Sequence, residues 1–503
     1  MAPAISHYRA YTPEPFTRGE RESVTVVFGG LHWRVERVIQ AVLEHGGNRA
    51  QPLPPATRED LLTGRELADI GQCCPTSFTT GNLVNFIKKE AGRDGAEEAA
   101  RRFVYLTAGA CGACRFGQYH ASYELALRNS GLEAFRMFLL AQDQLNQSSV
   151  MGGGLDLNLP MTLGCLWGIF CTDLVQDLEY QMRPYEVVPG QTDAVVKESV
   201  ELLYRAFRNR PRRDSWRSIA WHLTSSYFTG ALREIHGKFG AIEVDRLRVK
   251  PRVKITGEFY LQTVEGDPNY NIHRWLEAEG AEVYPAAIAV WMDYLLRLEL
   301  QRFEDYRGLE RGARLKLGVG RLAELVYGWN YDRLRRAMGN LPRELPRQSE
   351  LRRLAAPYFN SRLDGGEGDM LVGKALWAHQ RKKAHMICEL SPYACMPNTM
   401  SVGAMAGVMG KHPDLLYAPL EIKGDAEVHA LSRCQMILTE ATKRAQREFA
   451  DALEATRLSV AQVRAYLDDH PEMKRATYRV PPAGWVGTAA NLVQHVASKM
   501  GRR

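Results

Sequence analysis

Cysteines occur in three segments of this 503-residue chain whose pattern predicts a strand, a loop and a helix: residues 71–90, 103–131 and 386–408. Each segment places thiols beside the start of a predicted helix, where unpaired backbone N–H groups and the helix dipole favour negative charge. One such segment would carry little information. Three in one chain indicate a shared anionic thiolate centre, for which a bound iron–sulfur cluster is the best candidate.

The middle segment contains a CxxC pair, Cys111 and Cys114, in the loop AGACGAC. The apolar run FVYLT (103–107) predicts the preceding strand, and a helix is expected from Arg115 to Gly131. Small loop residues allow the backbone to approach a bulky inorganic core. A thioredoxin-type dithiol and half of a zinc site are the alternatives. We favour the cluster because a dithiol needs no further thiol loops and no second metal-binding pair is evident.

The outer two segments supply further candidate ligands. Cys73 and Cys74 precede Pro75, a residue suited to the first turn of a helix. Adjacent side chains rarely point at the same atom, so Cys73 is the predicted ligand and Cys74 is open between a second ligand and a small buried hydrophobe. Cys395 repeats the arrangement, since a Met-Pro pair and a helical pattern follow it. Cys388 lies in the preceding strand and could be a ligand or a core residue.

The other three cysteines lack this context. Cys165 and Cys171 lie six residues apart in an apolar segment, which places them on different faces of a helix. Cys434 falls inside a long predicted helix. Core packing is the interpretation for all three.

An acidic segment, GEFYLQTVEGDPNYNIH, follows a predicted strand and contains Glu258, Glu265, Asp267 and His273. Proteins with α/β folds place substrate-facing groups after their strands. The alternative is a GDPN turn with solvated acids. Glu258 and His273 are the predicted catalytic groups.

Composition is that of a globular protein, with 24% charged residues and a net charge of +7. Basic residues cluster at 205–217, 245–254 and 333–353. Without aromatic residues interleaved among them they do not indicate nucleic-acid binding. They predict solvated helix faces first, and a docking surface for an acidic partner or a nucleotide-like phosphate second.

The chain is expected to be cytoplasmic, in a reducing compartment. The first twenty residues contain no apolar run of a signal peptide. The longest apolar stretch, around 161–170, falls short of the roughly 20 residues that a spanning helix requires. No membrane association is predicted.

The elements that would position these groups repeat along the chain. A strand at 24–30 and a helix at 32–45 are predicted in the first half. The same order recurs in the second half, with a strand at 253–260, a helix at 271–280 and a strand at 281–286. We interpret this as a weak internal duplication of a Rossmann-like unit. The predicted class is α/β, with two or more Rossmann-like parallel-sheet domains and helical insertions.

Five regions are predicted along the chain. They are a tail (1–22), a Rossmann-like domain with the first two cysteine loops (23–158), a helical linking region (159–250), a second α/β domain (251–460) with a helical insertion at about 290–385, and a peripheral segment (461–503).

Several sequence segments resemble those of the 2-hydroxyacyl-CoA dehydratase component family. They are VTVVFGGLHW, GQCCPTSFTTGNLVNFI, FVYLTAGACGACRFGQYHASYELAL, GEFYLQTVEGDPNYNIHRWLEAEGAEV and SPYACMPNTMSVGAMAGVM, within about residues 23–440. The nearest branch is related to acyl-CoA dehydratase activases and double-cubane cluster proteins. The Cys73–Cys74 doublet and the many arginines depart from the family pattern, so the resemblance does not fix an acyl-CoA as substrate.

The resemblance implies Rossmann-like domains that grip an iron–sulfur cluster between them. By this resemblance, the cluster ligands would be Cys73, Cys111, Cys114 and Cys395. The cluster would be 4Fe–4S, or a double-cubane 8Fe–9S cluster if Cys74 or Cys388 also binds. Low-potential electrons would come from a separate ATP-dependent activase, in an anaerobic setting and within a homo- or heterodimer. The chain would then be a reductase or dehydratase-like enzyme, and the alternative is a non-catalytic electron-transfer or maturation subunit.

This chain shows neither a P-loop nor the glycine-rich opening of the activases' nucleotide-binding domain. It is therefore not expected to hydrolyse ATP itself.

Overall fold

The computed structural model of the chain describes residues 14–68, 71–109, 114–141, 153–212, 215–309, 311–363 and 366–501. Over these residues the chain contains two four-stranded sheets, and every strand pairs in parallel with its neighbours. The predicted α/β class with two parallel-sheet units is therefore confirmed.

The first sheet has the order β2-β1-β3-β4. Its strands are β1 (Thr25–Phe28), β2 (Arg49–Pro52), β3 (Phe103–Gly109) and β4 (Arg136–Ala141). Its helices are α1 (Trp33–His45), α2 (Arg58–Leu67), α3 (Cys74–Asp94), α4 (Ala96–Arg102) and α5 (Tyr119–Asn129), and a 3-10 turn (Arg115–Gln118) precedes α5. The apolar runs of β1 and β3 follow from their central places, where helices cover both faces of a parallel sheet.

The second sheet has the order β6-β5-β7-β8. Its strands are β5 (Arg252–Gly257), β6 (Glu282–Tyr284), β7 (Met386–Pro392) and β8 (Leu416–Ile422). Its helices are α10 (Phe259–Thr263), α11 (Ile272–Ala278), α12 (Ile288–Asp305), α13 (Ala313–Ala337), α14 (Gln348–Ala355), α15 (Gly368–Gln380), α16 (Met396–Lys411) and α17 (Glu427–Thr456).

The two sheets share one strand order, in which the first strand in the chain lies between the second and the third. The direction of winding therefore reverses between β1 and β3, and again between β5 and β7. Ligands of open α/β sheets bind beside such a reversal, at the carboxyl ends of the strands.

In the described ranges, four α-helices connect the two sheets and two more lie near the end of the chain. They are α6 (Leu159–Met182), α7 (Gln191–Arg208), α8 (Ser215–Thr224) and α9 (Tyr227–Phe239), followed near the end by α18 (Val460–Asp469) and α19 (Thr488–Lys499). Apolar residues of α6, among them Phe170 and Leu174, are fully buried and pack with α1, α7 and α13.

Two sequence-based expectations differ from the structure. The apolar stretch at 161–170 is part of a longer helix: in the described residues one segment, Leu159–Tyr185, is long and apolar enough to cross a membrane, and 61% of its apolar window is buried inside the protein. The predicted strand at 253–260 ends at Gly257, because the Glu258 side chain caps the start of α10.

Candidate functional site

Three of the predicted cysteine ligands occupy the same structural position, the residue just before a helix. Cys73 precedes α3, Cys114 precedes the 3-10 turn and Cys395 precedes α16. Proline in the first turn of α3 and of α16 explains why both helices begin there. At each of these cap positions the side chain is a thiol rather than the oxygen-bearing side chain that helix starts usually carry.

Two of the three cysteines also follow strands, at the ligand-binding edges of the two sheets. Cys114 follows β3 and Cys395 follows β7, which are the strands beside the two reversals of winding. The backbone N–H of Cys74 donates a hydrogen bond to the carbonyl of Tyr393, at 3.3 Å. This bond joins the start of α3, which packs on the first sheet, to the loop that leads to Cys395 after the second.

The Cys73 thiol is buried between two hydroxyl groups. Its Sγ lies 3.1 Å from the hydroxyl of Tyr119 and 3.2 Å from that of Thr76. Both hydroxyls could donate to a thiolate, and hydrogen bonds of this kind stabilise sulfur ligands of metals.

Cys114 and Cys395 are protonated as free thiols. Burial raises the pKa of Cys114 to about 12, although the backbone N–H of Phe116 acts to lower it. Burial also raises the pKa of Cys395 far above its ordinary value, and the backbone N–H of Asn398 opposes the shift. A bound metal is the partner that converts such thiols into thiolates.

These thiols share one electrostatic neighbourhood. The charge of the Glu258 carboxylate raises the pKa of both Cys114 and Cys395, and so does the charge of Cys73. Three of the four predicted ligands and one of the two predicted catalytic residues are therefore electrostatic neighbours, and their roles stay predictions.

A buried hydrogen-bond chain holds Cys395. Its thiol donates to the Asn398 side chain, with sulfur and oxygen 3.5 Å apart, and the Asn398 amide donates to Glu389 at 2.9 Å. Glu389 also accepts hydrogen bonds from Ser401 and Tyr417, both at 2.8 Å. Four partners thus fix this loop and the thiol that it presents.

Glu258 is held at the end of β5 by its own helix. Its carboxylate accepts hydrogen bonds from the backbone N–H groups of Tyr260 and Leu261, at 2.9 and 3.0 Å. Burial, with a contribution from the nearby Glu367 charge, raises the pKa of Glu258 to about 7. A carboxyl group with this pKa can give or accept a proton near neutral pH.

The other members of the acidic segment lie in a different cluster. His273 is buried on α11 beside the Tyr180 ring, and in the described part of the chain neither of its ring nitrogens has a hydrogen-bond partner. Burial lowers its pKa to about 4. Glu265 pairs with Arg34, and Asp267 accepts a hydrogen bond from the backbone of Arg58. The catalytic role of His273 stays a prediction.

The remaining candidate cysteines have different surroundings. Cys74 is buried in the core beside Leu61 and Phe78, and burial raises its pKa to about 12. Cys388 on β7 and Cys434 on α17 lie inside the same core, and the Cys434 thiol together with burial raises the pKa of Cys388 well above its ordinary value. This is the core-residue alternative for Cys388. Cys111 lies outside the described residues.

Across the described ranges, no group of three or more His, Cys, Asp or Glu side chains could hold a metal ion. The iron–sulfur cluster therefore stays a prediction, and its fourth predicted ligand, Cys111, is outside these ranges.

A cavity of about 110 Å³ adjoins this region at the carboxyl end of β1. His32 and Glu36 line it from the first half, and Tyr260 and Glu265 from the second. His32 Nδ1 accepts the N–H of Val35, so its buried Nε2 carries the proton and has no partner among the described residues. Sequence analysis did not identify His32 or Glu36. The pair Gly29-Gly30, which follows β1, is the sequence signal that could have indicated a site there.

Comparison with known proteins finds no match: no family model, no curated protein and no solved structure is similar to this chain. The resemblance to the dehydratase component family therefore stays a hypothesis carried by the cysteine motifs.

Proposed function

We propose that the protein is an iron–sulfur redox protein resembling 2-hydroxyacyl-CoA dehydratase components. Cys73, Cys111, Cys114 and Cys395 would hold a 4Fe–4S or double-cubane cluster, reduced by a separate ATP-dependent activase. When bound, such a cluster supplies single low-potential electrons to a substrate.

One observation carries the proposal. Three cysteines from distant parts of the chain each begin a helix, and two of them share Glu258 and Cys73 as electrostatic neighbours. A protein core gains nothing from placing protonated thiols at three helix starts, where an acceptor oxygen is normally preferred. Thiolate ligands do gain there, because the helix starts favour negative charge.

The residues around the thiols can exchange protons with a substrate and hold it by hydrogen bonds. Glu258, with its pKa near 7, can exchange a proton with a group bound between the two sheets. The neutral His32 presents an unused N–H to the adjoining cavity, where a carbonyl or carboxylate oxygen could accept it. Tyr260 lines the cavity and interacts electrostatically with Glu258, so it connects the cavity with the thiol site.

The test is metal content and electron paramagnetic resonance of anaerobically purified protein. We expect iron and sulfide in the wild type, and loss of both in Cys111→Ala and Cys395→Ala. Cys165→Ala is the matched control, because Cys165 is a half-buried residue of the α6 core and should leave the metal unchanged. Unchanged spectra in both ligand variants, or one zinc per chain in place of iron, would sink the proposal.

A further inference from the structure

A second cleft lies at the opposite end of the second sheet, and its volume is about 620 Å³. Arg252 begins β5 and Glu282 begins β6, and both line this cleft, whereas the thiol site lies at the carboxyl ends of the strands. Six residues of β5 separate the two ends by roughly 17 Å, at about 3.3 Å per residue. Small-molecule sites usually occupy about 300–1,000 Å³.

The cleft is strongly cationic. Eight of its lining side chains are Arg or Lys and two are Glu. Arg246 and Arg252 come from the basic cluster at 245–254, and Arg335 and Arg343 from that at 333–353. The fold thus turns two basic segments, separate in the sequence, into the walls of one cleft.

Ion pairs neutralise and fix part of this charge. Arg252 and Arg343 both bind Glu282, at 2.8 and 2.5 Å. Arg381 pairs with Glu350, Lys383 with Glu344 and Arg335 with Asp332. Five of the eight cations therefore have a carboxylate partner.

Three cations remain that pair with no carboxylate among the described residues: Arg246, Lys382 and Arg479. Arg246 is 7% exposed, and its guanidinium donates only to a methionine sulfur and to backbone carbonyls, including that of Ala476 at 2.9 Å. Burial lowers its pKa to about 10. Lys382 donates to the carbonyl of Gly484 at 3.1 Å, and Arg479 is exposed at the rim. A buried cation bonded only to neutral groups is stabilised by a bound anion.

Two further features of the cleft favour a ligand that carries phosphate groups and an aromatic ring. The twelve-residue helix α19 begins at Thr488 in the cleft, and its dipole adds to the positive field there. The Glu448 carboxylate accepts the N–H groups of Val486 and Gly487 just before this helix, and Glu282 accepts the Thr488 hydroxyl. The half-buried rings of Tyr478 and Trp485 also line the cleft. Arginine forks bind phosphate in pairs of hydrogen bonds, and aromatic faces stack on nucleobases.

We infer that this cleft binds a small polyanion that carries phosphate groups and an aromatic base, the chemistry of a nucleoside diphosphate. The site is separate from the thiol site. It needs no metal and implies no hydrolysis.

The test is calorimetric titration of the full chain with ADP, inorganic pyrophosphate and adenosine. We expect one saturable ADP site, weaker binding of pyrophosphate and none of adenosine. The double variant Lys382→Glu/Arg479→Glu should weaken ADP at least about tenfold, because two positive charges that line the cleft become negative. The control Lys88→Glu/Lys89→Glu changes net charge equally at exposed residues of α3 and should leave the affinity within about threefold.

Absence of saturable ADP binding, or equal weakening in both double variants, would overturn the inference. If pyrophosphate bound as tightly as ADP, the part of the inference that assigns an aromatic base to the ligand would be overturned. The same titration with Cys395→Ala should give unchanged ADP affinity, which separates this inference from the proposed iron–sulfur function.

Discussion

Two buried carboxyl groups near the thiol site have pKa values raised to neutrality or above it. Burial raises the pKa of Glu36 to about 8, and burial with the Glu367 charge raises that of Glu258 to about 7. Neither has a cation paired with it among the described residues, so the cost of removing a carboxylate from water is not repaid. Residues that combine burial with a shifted pKa in a cavity are typical of functional sites.

Glu36→Gln should flatten the dependence of stability on pH. The folded-state pKa of Glu36, about 8, exceeds its ordinary value of 4.5, so its contribution is full below pH 4.5 and is lost as pH rises through 8. Between pH 6.5 and 8.0 we expect the wild type to lose about 1–2 kcal/mol more than the variant.

Urea unfolding at these two pH values measures the difference. Below pH 6.5 the buried His32, whose pKa is lowered to about 3, acts in the opposite direction, which is why the window starts there. Exposed Glu234 gives the control substitution Glu234→Gln. Equal slopes for wild type and Glu36→Gln would contradict the assignment.

Local sequence pattern predicts which cysteines precede helices but not which polar groups are buried beside them. Pro75 and the Met-Pro pair after Cys395 specify helix starts within a few residues. The burial of His32 and Glu36 depends on Tyr260 and Glu265, far along the chain, so no local pattern could reveal it. The pairing of Cys388 with Cys434 is a contact of the same long-range kind.

Among the elements, α3 sets the position of Cys73 through an unusually close contact with α2. A Cβ added to Gly81 on α3 would lie 1.7 Å from the carbonyl oxygen of Asp60, and one added to Gly64 on α2 would lie 1.8 Å from that of Ser77. The two helix backbones therefore touch, which only glycine permits. Any displacement of α3 would move Cys73 with it.

Gly81→Ala should destabilise the protein and lower its iron content. The new methyl group meets backbone rather than a flexible side chain, and overpacking of this kind costs about 1–3 kcal/mol or more. Gly92→Ala on the same helix is the control: nothing lies within 4 Å of its added Cβ, and an exposed helical Gly→Ala change should stabilise by about 0.5–1 kcal/mol. Thermal unfolding and iron analysis of both variants check this, and a tolerated Gly81→Ala would refute the close contact.

Sequence pattern predicts strands in both sheets, but not the edge strands β4 and β8, the strand order or the exact strand ends. Apolar runs flanked by glycine locate β1, β3 and β5 to within a few residues. The end of β5 depends on Gly257, where an added Cβ would lie 2.2 Å from the carbonyl oxygen of Leu390 on β7, so a tertiary contact decides it. The shared strand order likewise depends on which helices pack on which face.

In the whole molecule, Arg34 joins the two halves of the chain. This residue of α1 is buried and binds both oxygens of Glu179 on α6, each at 2.5 Å, and Glu265 beyond α10 at 2.6 Å. Tyr180 donates to Glu265 as well, at 3.1 Å. The thiol site needs both sheets at once, so its geometry depends on connections of this kind.

Arg34→Ala should therefore cost far more than a comparable surface change. Removal of Arg34 takes the bidentate partner from the fully buried Glu179, which keeps only Arg183, and the cation from the half-buried Glu265. Removing one partner of a buried ion pair costs about 3–5 kcal/mol. Arg37→Ala, one turn further along α1, breaks the exposed pair with Glu201 and should cost about 1 kcal/mol or less. Urea unfolding of both variants gives the comparison, with iron content as a second measurement. If the two changes cost the same, Arg34 does not join the halves, and the thiols must be held together by the backbone bond between Cys74 and Tyr393 and by the packing of the loops alone.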